Sequence, residues 1–228
     1  MTATAMLLFG SHARGDQDSR SDTDLLLITQ EDAPRHVMNG HLSTSLYSFE
    51  DLRSRAQNGD LFVCHIVRES IPIYDPAGQL NMLRSEFSFR QSYEDEIQRA
   101  TDLGWFLVEH GMSIGSDALV NKRIAWCVRT ILISRSAEMG IPVFSALSLA
   151  EFAKSNAVLT LVKNKDETVI DVEILRDLEV LLTSFGGDRI FRPRGSYSDY
   201  RRRFDSTMNK VGRGTLRADA VASLGYHE

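Results

Sequence analysis

The sequence predicts an α/β domain followed by a helical bundle, an α+β architecture overall. Short apolar runs alternate with short helical periods in the first third, and after Gly78 apolar residues recur at three- and four-residue spacing. Pro76 and Gly78 interrupt both patterns and mark a boundary. We therefore expect a sheet domain over residues 1–77, a helical bundle over residues 78–212 and a loosely held, flexible tail over residues 213–228.

Four segments of the first part have the patterns of strands: they are Ala5–Phe9, Leu25–Ile28, Leu42–Tyr47 and Ile71–Asp75. The third alternates apolar and small polar residues, which is the period of a half-buried strand. The fourth contains Pro72 and predicts an edge strand, because proline cannot donate to a central ladder. Residues 49–57 and 61–69 read as two short helices between the third and fourth strands, and Ser48 is placed to cap the first.

The second part has the helical period throughout. Five segments carry it, over residues 80–90, 93–110, 116–139, 147–155 and 171–185. Ser116 is a suitable N-cap for the longest segment, and Gly140 and Gly186 fit helix C-termini. These features together predict the bundle.

The composition is typical of a globular protein of the cytoplasm. Of the 228 residues, 43% are hydrophobic and 25% are charged. Apolar runs fall short of the ~20 residues that span a bilayer, so we expect no membrane association. Cys64 and Cys127 lie in apolar patterns and are expected to be buried thiols in a reducing compartment.

The charge is distributed unevenly. The whole chain carries −5, but residues 189–217 carry nine basic residues against Asp199 and Asp205, a local +7, which leaves −12 elsewhere. Such a segment can dock a phosphate-rich ligand or pair with the protein's own acidic surface, and both interpretations stay open. Within it, the aromatic and basic residues of 196–204 fit either base stacking or a helix packed on the bundle by Tyr200 and Phe204.

The most informative motif lies between Leu8 and Ile28. Gly10 and Ser11 follow the first apolar run, so the chain leaves a strand at a tight turn where backbone N–H groups suit phosphates. Asp22 and Asp24 stand two apart at the mouth of the next apolar run, and on a strand such residues project from one face. Two converging carboxylates form the minimal oxygen clamp for Mg²⁺.

This combination of a Gly-Ser turn, an Arg-Gly pair and Ser-Asp-x-Asp before a buried strand resembles the DNA polymerase β-type nucleotidyltransferase superfamily, particularly its minimal nucleotidyltransferase (MNT) branch. The resemblance is strong over Leu8–Ile28 and weaker to about Pro76. It implies a small, twisted mixed sheet with helices behind it and the active site at an open edge. Enzymes of this kind are often followed by a HEPN-like or substrate-binding helical domain.

The resemblance also implies a reaction and roles for particular residues. An acceptor hydroxyl attacks the α-phosphate of a nucleoside triphosphate, with ATP favoured as the donor, and pyrophosphate leaves. Asp22 and Asp24 are the expected catalytic residues and ligands of Mg²⁺, with Mn²⁺ as an alternative ion. The residues expected to bind the nucleotide are Gly10, Ser11, Arg14 and Ser21, although Arg14 fits a solvated helix position equally well.

A third carboxylate, which the resemblance places on the following strand, is missing from this sequence. Ser45 stands at the expected position. Three explanations stay open: Glu50 or Asp51 reaches the site, another segment or a partner supplies the acid, or the protein binds nucleotide with little catalysis. The alternative function is accordingly a degenerate nucleotidyltransferase that acts as a nucleotide-binding regulatory or interaction module.

The acceptor is not specified by the motif. An RNA end such as that of tRNA, a partner protein and a small molecule are all compatible with it. The oligomeric state also stays open, a homodimer included.

Overall fold

The computed structural model describes residues 2–19, 21–30 and 34–224. The chain forms two compact units that divide between Gln91 and Ser92. The first unit contains a mixed sheet with helices and the second is helical, so the predicted fold class is confirmed.

The described residues of the first unit form a five-stranded sheet. Its strands are β1 Ala3–Phe9, β2 Thr23–Thr29, β3 Arg35–Asn39, β4 Leu42–Ser48 and β5 Ile71–Tyr74. Their order across the sheet is β3-β4-β2-β1-β5. Strands β2 and β4 run parallel and the other neighbouring pairs run antiparallel. Strands β1 and β2 are thereby adjacent in the interior of the sheet; Gly10 follows the end of β1, and Asp24 lies at the start of β2.

Helices cover one face of this sheet. They are α1 Ser11–Arg14, α2 Phe49–Gln57, α3 Leu61–Glu69 and α4 Gln79–Glu86. Leu7 and Leu26 from the central strands are fully buried in one cluster with Leu52 of α2 and Val63 of α3. Burial of such side chains, each worth ~1.5–3 kcal/mol, holds the sheet against its helices.

The first unit extends beyond the predicted limit at residue 77. Helix α4 belongs to it, because Leu80 and Leu83 are buried in its core. The Arg84 guanidinium also donates to the backbone carbonyls of Val67 and Ser70. These long-range contacts are invisible in a sequence pattern, and they place the boundary after Gln91.

Strand β3 is not predicted by the sequence. Every residue from Arg35 to Asn39 is exposed, because β3 is an edge strand and pairs only with β4 within the described sheet. A strand without a buried face has no alternation of apolar and polar residues to reveal it.

The second unit is built from helices and two short 3₁₀ turns. Its helices are α5 Glu94–His110, α6 Asp117–Glu138, α7 Ala146–Ala153, α8 Asn156–Lys163, α9 Val172–Phe185, α10 Tyr197–Ser206 and α11 Lys210–Leu224, and the turns are Gly111–Ser113 and Asn164–Asp166. Helices α5 and α6 are central, with buried residues on most sides. Trp105 of α5 is 5% exposed and belongs to the core, and Trp126 of α6 packs against it.

The expected flexible tail over residues 213–228 is wrong for its described part. Helix α11 runs to Leu224, and Leu216 is buried in the core of the bundle; residues 225–228 lie outside the described residues. Helix α10 includes most of the aromatic and basic stretch, and it buries Tyr200 and Phe204 completely or nearly so. Those two rings are core residues and are not available to stack on bases.

The predicted buried thiols are confirmed. Cys64 and Cys127 are both free and buried. Burial raises the pKa of Cys64 to about 12, and it raises the pKa of Cys127 further. No helix among the described residues is long and apolar enough to cross a membrane.

A buried ion pair joins α5 to α10. The Arg203 guanidinium donates to Asp102, Nε to Oδ2 at 2.7 Å, and the Asp102 side chain is only 3% exposed. Burial raises the pKa of the Asp102 carboxyl, against the hydrogen bonds from Gln98 and Arg203 that lower it. The pair lies at the wall of a cavity of about 250 Å³ within the helical unit.

Replacing Arg203 by Ala is expected to lower the free energy of unfolding by about 3 kcal/mol, because it leaves the Asp102 carboxylate buried without its cation. Urea denaturation measures the loss. Arg202→Ala is the matched control, since Arg202 pairs with Asp199 in solvent with 76% of its side chain exposed. Equal losses of unfolding free energy in the two variants would show that burial of the Asp102–Arg203 pair does not increase its contribution to stability.

Candidate nucleotide and metal site

A tight turn joins β1 to α1. Gly10 has φ of 73° and ψ of −154°, a backbone conformation that is essentially restricted to glycine. Its carbonyl accepts from the N–H of Arg14 at 3.1 Å, and Ser11 begins the helix. Gly15 ends α1 in the left-handed region, so this one-turn helix is held between two glycines.

The turn lies directly against Asp24. Phe9 and Asp24 are paired across β1 and β2, which brings the end of one strand beside the start of the other. A Cβ atom added at Gly10 would stand 2.6 Å from Oδ2 of Asp24. Gly10 is therefore needed for two reasons, its positive φ and the space that the carboxylate occupies. The structure brings these two predicted site residues together.

Asp22 lies just before β2 rather than on it, because the strand begins at Thr23. Its carboxylate is 32% exposed, and Oδ1 lies 3.5 Å from Nδ1 of His41. The backbone N–H of Thr23 donates to the carbonyl of His41 at 2.7 Å and fixes this approach. No local sequence pattern predicts His41 as a neighbour of the motif, since only the pairing of β2 with β4 places it there.

The position opposite Asp24 on the neighbouring strand holds a serine. In the parallel pair of β2 and β4, Asp24 lies beside Ser43, and Leu26 lies beside Ser45. Paired residues share one face of a sheet, so both serines are on the carboxylate's face, and both are buried. Ser43 is thus the nearer of the two, and the hydroxyl of Ser45 lies 3.4 Å from Nδ1 of His36 on β3.

Glu50 and Asp51 cannot replace the missing acid. They begin α2 after Ser48, and Ser48 pairs with Thr29 at the opposite end of β2 from Asp24. Five residues of strand separate Ser43 from Ser48, about 16 Å at ~3.3 Å per residue. That explanation of the absent carboxylate is therefore removed by the register of the parallel strands.

The donor set fits a hard cation that shares its shell with a ligand. Two carboxylates and several water or phosphate oxygens are a common environment for Mg²⁺. Among residues 2–19, 21–30 and 34–224, no group of three or more His, Cys, Asp or Glu side chains is arranged to hold a metal. Asp22 and Asp24 are the residues that would hold the ion, with the rest of its shell supplied by water and a triphosphate.

Arg14 is engaged away from the predicted phosphate cradle. Its Nη1 donates to Oε2 of Glu69 on α3 at 2.5 Å, and its Nε donates to Asp16. Burial opposes the charged form, but the hydrogen bonds and charges of Asp16 and Glu69 outweigh it, so the pKa of Arg14 is raised. His65 Nε2 lies 2.6 Å from the same oxygen of Glu69. This arginine thus anchors α1, and with it the turn, to α3.

Ser21 is likewise part of a local turn. Its hydroxyl donates to the Asp18 carboxylate at 3.0 Å and accepts from the Asp18 N–H at 2.9 Å. These contacts shape the loop that leads into Asp22. The structure therefore gives Ser21 a supporting position, whereas Ser11 stays half-buried at the start of α1 beside the turn.

The comparison with protein families concerns the first unit. Residues 3–92 match the family described as nucleotidyltransferase domain, which is about two fifths of the chain. No curated protein matches the chain. Among solved structures, the crystal structure of a nucleotidyltransferase-like protein from Exiguobacterium sibiricum 255-15 at 1.90 Å resolution is 17% identical. The alignment covers 95% of this chain and 86% of that chain, with a TM-score of 0.33.

The matched region ends within one residue of the limit of the first unit, at Ser92 against Gln91. It contains the turn at Gly10 and both aspartates. The first unit of the chain therefore matches the nucleotidyltransferase domain family, and the resemblance to nucleotidyltransferases stated from the motif is confirmed.

Proposed function

We propose that this protein transfers a nucleoside monophosphate from a nucleoside triphosphate, with ATP favoured, to a hydroxyl acceptor. The observation that carries the proposal is the contact of the Gly10 turn with Asp24, where an added Cβ would lie 2.6 Å from Oδ2. A backbone turn suited to phosphates and a carboxylate suited to a cation are held at one point. A metal-bound triphosphate requires these two groups side by side.

In the proposed reaction the acceptor oxygen forms a bond to the α-phosphorus. The bond from that phosphorus to the bridging oxygen of the β-phosphate breaks, and pyrophosphate leaves with its electron pair. The acceptor's proton passes to water, because neither Ser43 nor Ser45 is basic. Mg²⁺ or Mn²⁺, when bound, supplies charge neutralisation of the phosphates. Asp22 and Asp24 would hold that metal ion, and the turn at Gly10 would orient the phosphates.

The test is transfer of label from α-labelled nucleoside triphosphates to protein, RNA and small-molecule acceptors in the presence of Mg²⁺ or Mn²⁺. We expect label in one acceptor class and release of one pyrophosphate for each transfer. The double variant Asp22→Asn, Asp24→Asn is expected to show neither. Equal labelling by the wild type and the double variant would refute the proposal.

A second function is favoured by the two buried serines on β4. General-base catalysis contributes ~10²–10⁴-fold, and a site without the third acid lacks an evident base. A protein of this kind would bind Mg²⁺ and triphosphate and act as a regulatory module. Saturable nucleotide binding without pyrophosphate release, across all three acceptor classes, would establish that function in place of transfer.

A further inference from the structure

The basic segment of the second unit divides into residues that are bound internally and residues that are not. Arg189 pairs with the buried Glu109, Arg203 with Asp102, and Arg202 with Asp199. A fourth, Arg194, donates to the backbone carbonyl of Glu109. Arg189, Arg194 and Arg203 attach the loop before α10, and α10 itself, to α5, whereas Arg202 pairs within α10. The positive charge of the segment is therefore only partly used within the protein.

Helix α11 carries the clearest group of the remaining cations. Lys210, Arg213 and Arg217 stand at positions 0, 3 and 7, and therefore share one face of the helix. None of the three pairs with a carboxylate of the described residues. We name this the α11 basic face, and it comprises these three residues together with Gly214, which lies between them on the same side.

The opposite face of α11 is fully used by the fold. Thr215 and Leu216 are buried at 0% and 5% exposure. Asp219, which is the acidic residue within the described part of α11, is also buried; it accepts from the hydroxyl of Tyr197 and from the N–H of Gly115. The only negative charge on this part of the helix is therefore turned away from the α11 basic face.

Gly214 is the residue that packing does not explain. Helix α11 contains two glycines, each unfavourable in a helix interior by comparison with alanine. A Cβ at Gly212 would lie 2.7 Å from the ring of Phe204, so close packing requires that glycine. At Gly214 nothing lies within 4 Å of an added Cβ. An unforced glycine at the centre of three cations leaves the helix backbone open to close approach by a ligand.

We propose that the α11 basic face binds the phosphodiester backbone of a nucleic acid. Seven residues of helix span about 10.5 Å, so the three cations form a short positive row that can neutralise consecutive phosphates of one strand. Gly214 admits the strand beside them. This inference is independent of the proposed transfer reaction, although a bound RNA could also be its acceptor.

The composition of the α11 basic face favours a nucleic acid over a membrane surface. A helix that lies on a membrane exposes large apolar residues beside its cations. Among residues 210–220 of α11, whose side chains the structure describes, no large hydrophobic side chain is exposed. The rest of the chain carries −12, so an anionic polymer is repelled elsewhere and is directed to this segment.

The test is fluorescence anisotropy of a labelled single-stranded RNA of about 20 nucleotides, and of DNA of the same sequence, without nucleoside triphosphate. We expect the variant Lys210→Gln, Arg213→Gln, Arg217→Gln to bind at least about tenfold more weakly than the wild type. Its salt slope should fall by about 2, since each contact to a single strand contributes ~0.7. Binding of either polymer, or of both, supports the proposal.

The matched control removes three exposed cations from other helices, as Lys122→Gln, Arg176→Gln, Arg202→Gln. Its net charge equals that of the first variant, and its binding should stay near wild type. Equal weakening by the two triple variants would overturn the proposal. So would a wild type that binds neither polymer at about 50 mM salt, or one that binds phosphatidylserine vesicles as strongly as RNA.

Gly214→Ala separates binding from folding. Alanine favours the helix, so this variant is expected to melt at a higher temperature than the wild type. We nevertheless expect it to bind RNA several-fold more weakly, because the added methyl group obstructs the strand. A melting temperature that rises while affinity is unchanged would refute the placement of the backbone across Gly214. Failure of nucleotidyl transfer would leave this result unaffected.

Discussion

Replacing Asp24 by Asn is expected to abolish nucleotidyl transfer, by at least about 10³-fold, and to remove Mg²⁺-dependent binding of ATP. In the proposed site this carboxylate would supply the charge that holds the cation beside the phosphate turn, and loss of metal stabilisation of a phosphoryl transition state amounts to several kcal/mol. Asp22→Asn should have a similar effect. Titration calorimetry with ATP, in the presence and absence of Mg²⁺, measures the binding.

Glu50→Gln is the control for Asp24→Asn. Glu50 is an exposed acid of the same unit, and it lies at the far end of the sheet from Asp24. It should retain both transfer and Mg²⁺-dependent binding. Comparable losses of transfer and binding in Glu50→Gln and Asp24→Asn would show that removing any acidic side chain of this unit has the same effect. The loss would then not be specific to the site at the start of β2.

Gly10→Ala is expected to lower nucleotidyl transfer by about 10²-fold or more. Its methyl group would meet Oδ2 of Asp24 at 2.6 Å and must displace that carboxylate or the turn. Displacement of a catalytic group by about 1 Å is sufficient for a loss of this size. The positive φ adds strain, since alanine rarely adopts this conformation. Initial rates of transfer at saturating nucleotide measure the effect.

Gly15→Ala separates strain from obstruction. Gly15 also has a positive φ, at 76°, but nothing lies within 4 Å of an added Cβ. The variant should lose about 1 kcal/mol of stability and keep transfer near the wild-type rate. If both glycine variants lose transfer equally, backbone strain in α1 explains the result and the contact with Asp24 does not.

Most elements of the first unit were predicted from the sequence because they have one buried face, and edge strand β5, which is exposed throughout, was predicted from its apolar residues around Pro72. Helices α2 and α3 have the predicted limits, and Ser48 caps α2 by accepting from the N–H of Asp51. Edge strand β3 was missed because it has no buried face and few apolar residues. The boundary after residue 77 was misplaced because α4 is amphipathic like the bundle helices, and only its packing assigns it to the sheet.

In the second unit, the sequence predicted α5, α6, α7 and α9 but not α8 or α11, and it left α10 open as one of two interpretations. Asn209 caps α11 by accepting from the N–H of Gly212, but the helix contains two glycines that argue against it. Packing overrides that propensity: Gly212 admits the Phe204 ring, and Leu216 is buried in the core. A weak local preference is thus reversed by contacts with distant residues.

The candidate site was also predicted only in part from the sequence. Gly10, Asp22 and Asp24 are close in sequence and carry recognisable chemistry, so a motif was sufficient to predict them, and the structure places Gly10 against Asp24. Arg14 was assigned to phosphates, whereas Glu69 on α3 holds it. His41 and Ser43 depend on the register of β4, which no local pattern specifies.

The sequence by itself determined the α+β class, the nucleotidyltransferase resemblance and the two aspartates, because backbone turns, strand periods and carboxylate spacing are local properties. The tertiary structure decided the rest. Strand pairing placed Ser43 beside Asp24 and moved Glu50 and Asp51 to the other end of the sheet. Helix packing turned Tyr200 and Phe204 into the core and left Lys210, Arg213 and Arg217 on one face of α11. Each of these depends on contacts between residues far apart in the chain, and such contacts are formed only when the chain folds.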